Sequence, residues 1–583
     1  MNSSADVPRQ ARTASSSPAR SWAGWLLFSA PVFLYFAAFA WLGQNLPRND
    51  DPPATLPFLL AVHRGEAWVR VLFDQYAEHR ITYLRLVTLL VQRLTGAVDY
   101  RVLGLLGNLS LVGVLAVFGA WFRRWNLMAY VLPVPFLLFH WGFHHNTFVA
   151  MMALQNLTIV FWGVLSAWWL ADGRTWRPYA ALLVAVVATY TSGSGMLTLA
   201  IGSGYLLLTR RWQALVSWLL VSGLAVGLYF WQLQPINHPE VLSNALPISG
   251  FAVLMSGSYL DLLPNLLKSS VEAGAPSWVR YLLYLRIGLC FALGLAALGF
   301  AGYVLVRRGR QLVRAPGETR PTTHDDPALT FPFLALLFVL GTVLVVARGR
   351  YDGGLSQSFA VRYKIYSPVL MTILYGAGIY LLNPARRRAG SGAALVLATT
   401  LCVWSYVQNL NQVLQQNKVA RAGLFNLRHN GVWLVSGRYY GDIDPLLNGA
   451  LAEGLYRPSA RLLAAFDGLP NRADAPLLRW PVQVPRIDAF WTVVSDSGGP
   501  ESLLDDPAAG AYFVLLGRAH RYVISAEQNR TVWGTYRPGF QAYVPIRGED
   551  LAPGRYRLCV YVVKRGTKQL YDTGRTIDVP ARN

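Results

Sequence analysis

The sequence predicts a mainly α-helical, polytopic membrane protein of about eleven spans, followed by a small C-terminal, extracytoplasmic all-β domain. Three observations carry this. Only 14% of the 583 residues are charged, against about 25% in soluble domains. The deficit comes from long apolar runs, each close to the roughly 20 residues that cross a bilayer. Between them lie six arginine clusters: Arg9/Arg12/Arg20, Arg123/Arg124, Arg174/Arg177, Arg210/Arg211, Arg307/Arg308/Arg310/Arg314 and Arg386/Arg387/Arg388. Basic residues in short loops stay on the cytoplasmic side, so these clusters mark the inside and the intervening loops the outside.

Residues 1–21 are polar and basic and read as a cytoplasmic tail. The run Trp22–Leu42 is long for a signal-peptide core and lacks a cleavage site, so it is read as the first span. Residues 44–100 form an outer loop with amphipathic stretches at 55–62, 66–73 and 81–94, suited to the membrane surface. Further spans are predicted at 102–122, 127–143, 155–171, 178–191, 195–209, 213–231, 282–306, 328–347, 364–382 and 391–408. The pair 178–191 and 195–209 is short and joined by Thr191-Ser192-Gly193-Ser194-Gly195, which allows a re-entrant or tilted pair. A second outer loop covers 232–280. The membrane region is thus 22–410, with the N-terminus inside.

From 411 the charges, prolines and glycines rise. Residues 411–484 read as an extracytoplasmic linker, partly helical at Asn411–Leu424 and Pro458–Phe466. Residues 485–583 show short strands at Ala489–Ser495, Ala511–Leu516, Arg521–Ser525, Gln541–Ile546, Arg555–Val563 and Arg575–Val579. Turn residues such as Ser497-Gly498-Gly499-Pro500 and Pro553-Gly554 separate them, the pattern of a β-sandwich.

The net charge of +22 does not point to nucleic acid, because many of the arginines cap apolar runs and no basic tract stands alone. The three cysteines, Cys290, Cys402 and Cys559, form no C-x-x-C motif, and no disulfide framework is expected.

Candidate chemistry gathers on the outer side. In Asp74-Gln75-Tyr76-Ala77-Glu78-His79-Arg80, a helix would put Asp74 and Glu78 on one face. With His79, Arg80 and Arg85 they suit acid/base work or a metal at an anionic substrate. An interfacial helix whose charges pair and face water fits the same residues. His140 and His144 stand at i, i+4, a chelating spacing, yet no carboxylate lies near in sequence. With His145 they equally suit phosphate or sugar contact, or an ordinary interface. Arg348, Arg350, Arg362, Tyr363 and Lys364 form an outward basic cluster, suited to forking onto a phosphate or to anchoring on headgroups. Tyr190, Ser192 and Ser194 read as a turn or a minor contact. His238, Glu240, Asp261 and Lys268 are individually uninformative. Trp68 and Trp141 are placed where they can stack on a sugar.

The acidic first outer loop, the many spans and the C-terminal outer domain resemble the GT-C superfamily of membrane glycosyltransferases. The E-H-R element at 78–80, the S-G-S-G turn at 192–195 and the G-R-Y…V-R-Y run at 349–363 are similar to a poorly characterised bacterial branch. The resemblance covers roughly 20–410. It implies transfer of a sugar from a polyprenyl-phosphate donor to an extracytoplasmic glycan, lipid or protein acceptor. Asp74, or else Glu78, would be the base. Arg80, Arg350 and Arg362 would hold the lipid phosphate, and His79 or His145 would orient it. Many members carry adjacent acids in the first loop, whereas Asp74 and Glu78 are separated by three residues. No organic cofactor is expected; a divalent metal is allowed but not indicated. The Ala/Leu/Arg-rich composition suggests a bacterial plasma membrane. Competing readings are a flippase, a ligase or polymerase of lipid-linked glycans with an arginine-dominated site, and a non-catalytic scaffold.

Overall fold

The computed structural model describes residues 18–234, 244–264, 266, 277–313, 326–434 and 443–470. In the C-terminal region it describes 475–478, 482–484, 486–487, 490–495, 508–530, 536–545, 551–564 and 567–581. The tail before residue 18, His238, Glu240, Lys268, Arg314 and the turn at 497–500 lie outside the described residues.

The N-terminal half begins with α1 (Pro18–Leu42), α2 (Asp51–His63) and α3 (Trp68–Leu72). A hairpin of β1 (Gln75–Tyr76) and β2 (His79–Arg80) precedes α4 (Thr82–Thr95) and α5 (Tyr100–Arg124). Then come α6 (Pro133–Leu138), α7 (His144–Phe148), α8 (Ala150–Met152), α9 (Thr158–Ala171), α10 (Arg177–Thr191), α11 (Met196–Leu208) and α12 (Trp212–Phe230). The second half has α13 (Ala245–Gly257), α14 (Ser277–Val313), α15 (Thr330–Arg350), α16 (Tyr366–Leu381), α17 (Pro384–Asn430) and α18 (Ile443–Ala452).

Among the described residues, seven helical stretches are long and apolar enough to cross a membrane: α1, α5, α8 through α9, α12, α14, α15 and α17. The chain is a multi-pass membrane protein. Of the predicted spans, 127–143 is corrected. Pro133 and Pro135 open a six-residue α6 between two 3-10 turns, because each proline removes an N–H and crowds the preceding turn. The segments 178–191 and 195–209 are helices of 15 and 13 residues. At 1.5 Å per residue neither reaches the roughly 30 Å of a hydrocarbon core. The last predicted span lies inside α17, a helix of 47 residues, which also absorbs the predicted helix at 411–424. It stops only at Gly431, whose left-handed φ of 73° directs its N–H to Leu427 O.

Among the described residues, arginines of the 123–124, 174–177, 307–310 and 386–388 clusters gather at one end of the bundle, where Trp125 packs on Tyr380. Arg307 binds Asp326, Asp326 accepts from Tyr380, and Arg387 donates to Tyr380 O. Arg124 and Arg177 share Asp172. Glycines bring some helices to backbone contact. A Cβ at Gly257 would lie 1.8 Å from Cys290 O, and one at Gly294 2.0 Å from Val253 O, so α13 lies against α14.

The C-terminal strands are β3 (Arg486–Ile487), β4 (Phe490–Ser495), β5 (Gly510–Leu516), β6 (Arg521–Ser525), β7 (Glu527–Arg530), β8 (Tyr536–Pro545), β9 (Gly554–Lys564) and β10 (Thr567–Val579). They form two antiparallel four-stranded sheets, β10-β9-β5-β6 and β3-β4-β8-β7. The edge strand β6 is covered by α17. The Asn426 amide donates to Val523 O and accepts from Val523 N–H, at 2.7 and 2.8 Å, completing the missing ladder.

Candidate active site

The loop between α1 and α2 turns sharply at Asn49, whose φ is 46°, a conformation that asparagine tolerates. Asp51 points inward and is fully buried. Its Oδ1 accepts from Met151 N–H at 2.7 Å, and its Oδ2 from Arg48 N–H and Ala150 N–H at 3.0 and 3.4 Å. Burial pushes this carboxyl up to about 7, against the pull of those bonds and of Arg48. Asp50, half-buried, lies 3.9 Å from the Arg362 guanidinium.

Asp50 and Arg362 face a cavity of about 660 Å³. Its walls come from the 47–50 loop, His145 of α7, Arg286 of α14, the 356–364 segment, and Gln412, Gln415 and Gln416 of α17. Two arginines on this wall are nearly wholly buried, Arg48 at 6% and Arg286 at 4% exposed. Arg48 donates from Nη2 to Asn417 Oδ1, but its Nε and Nη1, like Arg286 Nη1, are sealed from solvent and meet no acceptor among the described residues. A buried donor without an acceptor costs about 1–3 kcal/mol.

Asp261 joins Arg286 and Lys364. Arg286 donates from Nε and Nη2 at 2.5 and 2.8 Å, and Lys364 from Nζ. Burial works to raise the Asp261 carboxyl, but Lys364 and Arg286 outweigh it and hold it below its ordinary value. On the other side, Arg286 also lines an apolar groove of about 710 Å³. Leu262 and Leu263, Leu282, Leu285 and Leu289 of α14, and Leu401, Val403, Trp404 and Val407 of α17 form this groove. One arginine therefore belongs to both a polar chamber and an apolar slot.

The helix that would have joined Asp74 and Glu78 does not form across 74–80. The segment is a two-residue hairpin, Gln75 opposite Arg80 and Tyr76 opposite His79, turning at Ala77 with φ 47°. Asp74 and Glu78 therefore share no helical face. Asp74 is exposed and is not on the cavity wall. Glu78 meets Arg350 at 3.6 Å, and Arg350 Nε donates to the Tyr363 hydroxyl at 2.9 Å. His79 packs on Gly193, where a Cβ would come within 3.1 Å of its Nδ1; burial lowers its pKa. The E-H-R element thus does meet both the S-G-S-G turn and the G-R-Y run.

Arg80 and Arg85 have other work. Arg80 donates from Nε to Tyr229 O at 2.6 Å and from Nη2 to Trp231 O, closing the end of α12. Arg85 Nη1 donates to the carbonyls of Val71, Leu72 and Asp74 at the end of α3. Arg348 is exposed. The i, i+4 histidine pair is corrected too. Residues 141–143 form a 3-10 turn, His140 Nδ1 accepts from Gly142 N–H, and His144 is buried against Trp141 O. His145 does reach the cavity and pairs with Gln416 at 2.7 Å; burial and Arg362 lower its pKa to about 4. Trp141 is buried in the core, Trp68 is exposed, and Tyr190 donates to Ala225 O. Among the described residues no group of three His, Cys, Asp or Glu side chains is placed to hold a metal.

Asp50, Asp51, Arg48 and Arg286 were missed by sequence reasoning, Asp261 was given no part, and Lys364 entered only as a member of the outward basic cluster. Two signals were available. Asp50-Asp51 is an adjacent acidic pair just after the first span. Arg286 is a charge within a predicted span, which by default marks function.

No known protein family matches the chain, and no curated protein matches it. Among solved structures, the crystal structure of ArnT from Cupriavidus metallidurans in the apo state aligns over 90% of this chain and 98% of that one. The identity is 13% and the TM-score 0.33, a likeness too loose to define fold or chemistry.

Proposed function

We propose that this chain is a GT-C-type membrane glycosyltransferase that takes a sugar from a polyprenyl-phosphate donor. The observation that carries the reading is the sharing of Arg286 between the polar cavity and the apolar groove. A lipid-linked sugar has the same two-part character. Its chain fits the groove, and its phosphate fits beside Arg286 and Lys364 on the cavity wall. The sugar then lies in the chamber with Asp50, Arg362, His145 and the α17 glutamines. Asp50-Asp51 supplies the adjacent acids that the resemblance implies. The base is accordingly moved from Asp74 or Glu78 to Asp50, which faces the cavity.

The chemistry is a single displacement. Asp50 takes the proton of the acceptor hydroxyl, whose oxygen attacks the anomeric carbon as the bond to the phosphate oxygen breaks. The anomeric configuration inverts, and the departing phosphate is stabilised by fixed cations. Glu78, Arg350 and Tyr363 form a second polar cluster that suits the acceptor or the closing of the chamber. The N-terminus is assigned to the cytoplasm and the β domain to the outer side of a bacterial plasma membrane, on the distribution of arginine.

The test is consumption of a panel of polyprenyl-phosphate sugars in vesicles, with insertion of each variant checked. Asp50→Asn is expected to lower turnover by about 10²-fold or more, the range of general-base catalysis. Asp74→Asn is expected to stay within a few-fold of wild type. Equal consumption by Asp50→Asn, Asp74→Asn and Glu78→Gln variants would favour an arginine-dominated ligase instead.

A further inference from the structure

At the far end of the bundle from Asp50 lies a second, separate cavity. It has a volume of about 420 Å³ and is lined by Ala120, Arg123, Arg124, Trp168, Asp172, Arg174 and Arg177. The walls are the last turn of α5, the end of α9 and the start of α10. Because α5 has 25 residues, it separates this cavity from the candidate active site by about 35 Å.

Four guanidinium groups face one carboxylate, a net charge of +3. Asp172 is buried and lies 3.6 Å from Arg124 Nη1 and 3.7 Å from Arg177 Nε, too far for full hydrogen bonds. Arg177 Nε is sealed from solvent and has no acceptor within hydrogen-bond reach among the described residues. Aromatic faces fix the cations in place. Arg124 lies over Trp168 and Trp125, and Arg177 over Trp176 at 4.7 Å and Trp169 at 5.8 Å. Trp176 and Tyr179 beside the cavity are half exposed, as expected of rings at headgroup level.

We infer that this arginine cavity is a binding site for the phosphodiester headgroup of an anionic phospholipid. Fixed guanidinium forks match phosphate oxygens, and the cavity opens where spanning helices end, which is where headgroups lie. A charge of +3 exceeds what one phosphodiester neutralises. The preferred ligand is therefore a headgroup with two, as in diphosphatidylglycerol, ahead of phosphatidylglycerol. Asp172 competes with the lipid for Arg124 and Arg177.

The test is native mass spectrometry of the full-length protein with diphosphatidylglycerol, phosphatidylglycerol and phosphatidylcholine, with inorganic phosphate as competitor. Diphosphatidylglycerol should be retained at least ten-fold better than phosphatidylcholine. The double variant Arg123→Gln/Arg174→Gln, which alters only exposed side chains, should lose that preference. Asp172→Asn should tighten binding several-fold, a gain that mere destabilisation of the fold does not produce. Equal retention of phosphatidylcholine, an unchanged preference in the double variant, or weaker binding in Asp172→Asn would overturn the site. Displacement of the lipid by millimolar inorganic phosphate would overturn the lipid as its occupant.

Discussion

Arg286 grips Asp261 through two parallel hydrogen bonds, Nε to Oδ1 at 2.5 Å and Nη2 to Oδ2 at 2.8 Å, with both side chains only 2% exposed. Lys364 bonds the same carboxylate. Breaking a buried pair by removing one partner costs about 3–5 kcal/mol, because the other charge stays buried and uncompensated. Asp261→Ala leaves two such cations. Its apparent melting point in detergent should fall well below that of wild type, and an unchanged melting point would show that the triad is solvated.

The Asp261–Arg286 contact depends on how closely α13 approaches α14. Gly257 and Gly294 are the crossing points, with no room for a methyl group on either. Gly257→Ala should push the helices apart and destabilise the protein by about 1–3 kcal/mol, the usual cost of overpacking. Gly223→Ala, on open helix surface, should have a small effect. The comparison needs only thermal unfolding of the two variants.

Asp51 should make stability depend on pH. Its unfolded carboxyl titrates at the ordinary 3.8 and its folded one at about 7. Between these values the folded state keeps a proton that the unfolded state has lost. The stability contribution is full below about pH 4 and disappears as the pH rises through 7. The melting point of wild type minus that of Asp51→Asn should therefore decline from pH 4 to 7 and level off above. A difference that stays constant over that window would show an unshifted carboxyl.

Asn426 holds the β domain on α17 by satisfying both backbone groups of Val523. Lys418 adds a bond to Ala526 O. Asn426→Ala leaves the Val523 groups without these partners, at about 1–3 kcal/mol each where buried. Limited proteolysis should cut the domain away several-fold faster than in wild type, while fragments of the bundle stay intact.

Much of this architecture was legible because its signals are local. Apolar length, arginine spacing and turn residues all act within a few tens of residues. They marked most of the helices, and four of the six strand runs of the β domain came within a residue of their ends, whereas Gln541–Ile546 and Arg575–Val579 caught only the last parts of Tyr536–Pro545 and Thr567–Val579. The run 127–143 failed because average apolarity hid what two prolines do to a helix. The run 74–80 failed because its spacing suited a helix, whereas Ala77 turns it into a hairpin. Asp74 and Glu78 were then joined on a face that does not exist.

By itself, the sequence determined that this chain crosses a membrane several times, gathers arginine at one end and carries a β domain. Hydrophobic burial and charge exclusion need no knowledge of which residues meet. Only the tertiary structure decided the site. Asp50 and Arg362 are more than 300 residues apart, and so are Arg48 and Asn417. Their meeting depends on helix crossings set by packing. The same packing assigns Arg80 and Arg85 to backbone carbonyls and places Arg48 and Arg286 on the cavity wall, although each is simply an arginine in the sequence.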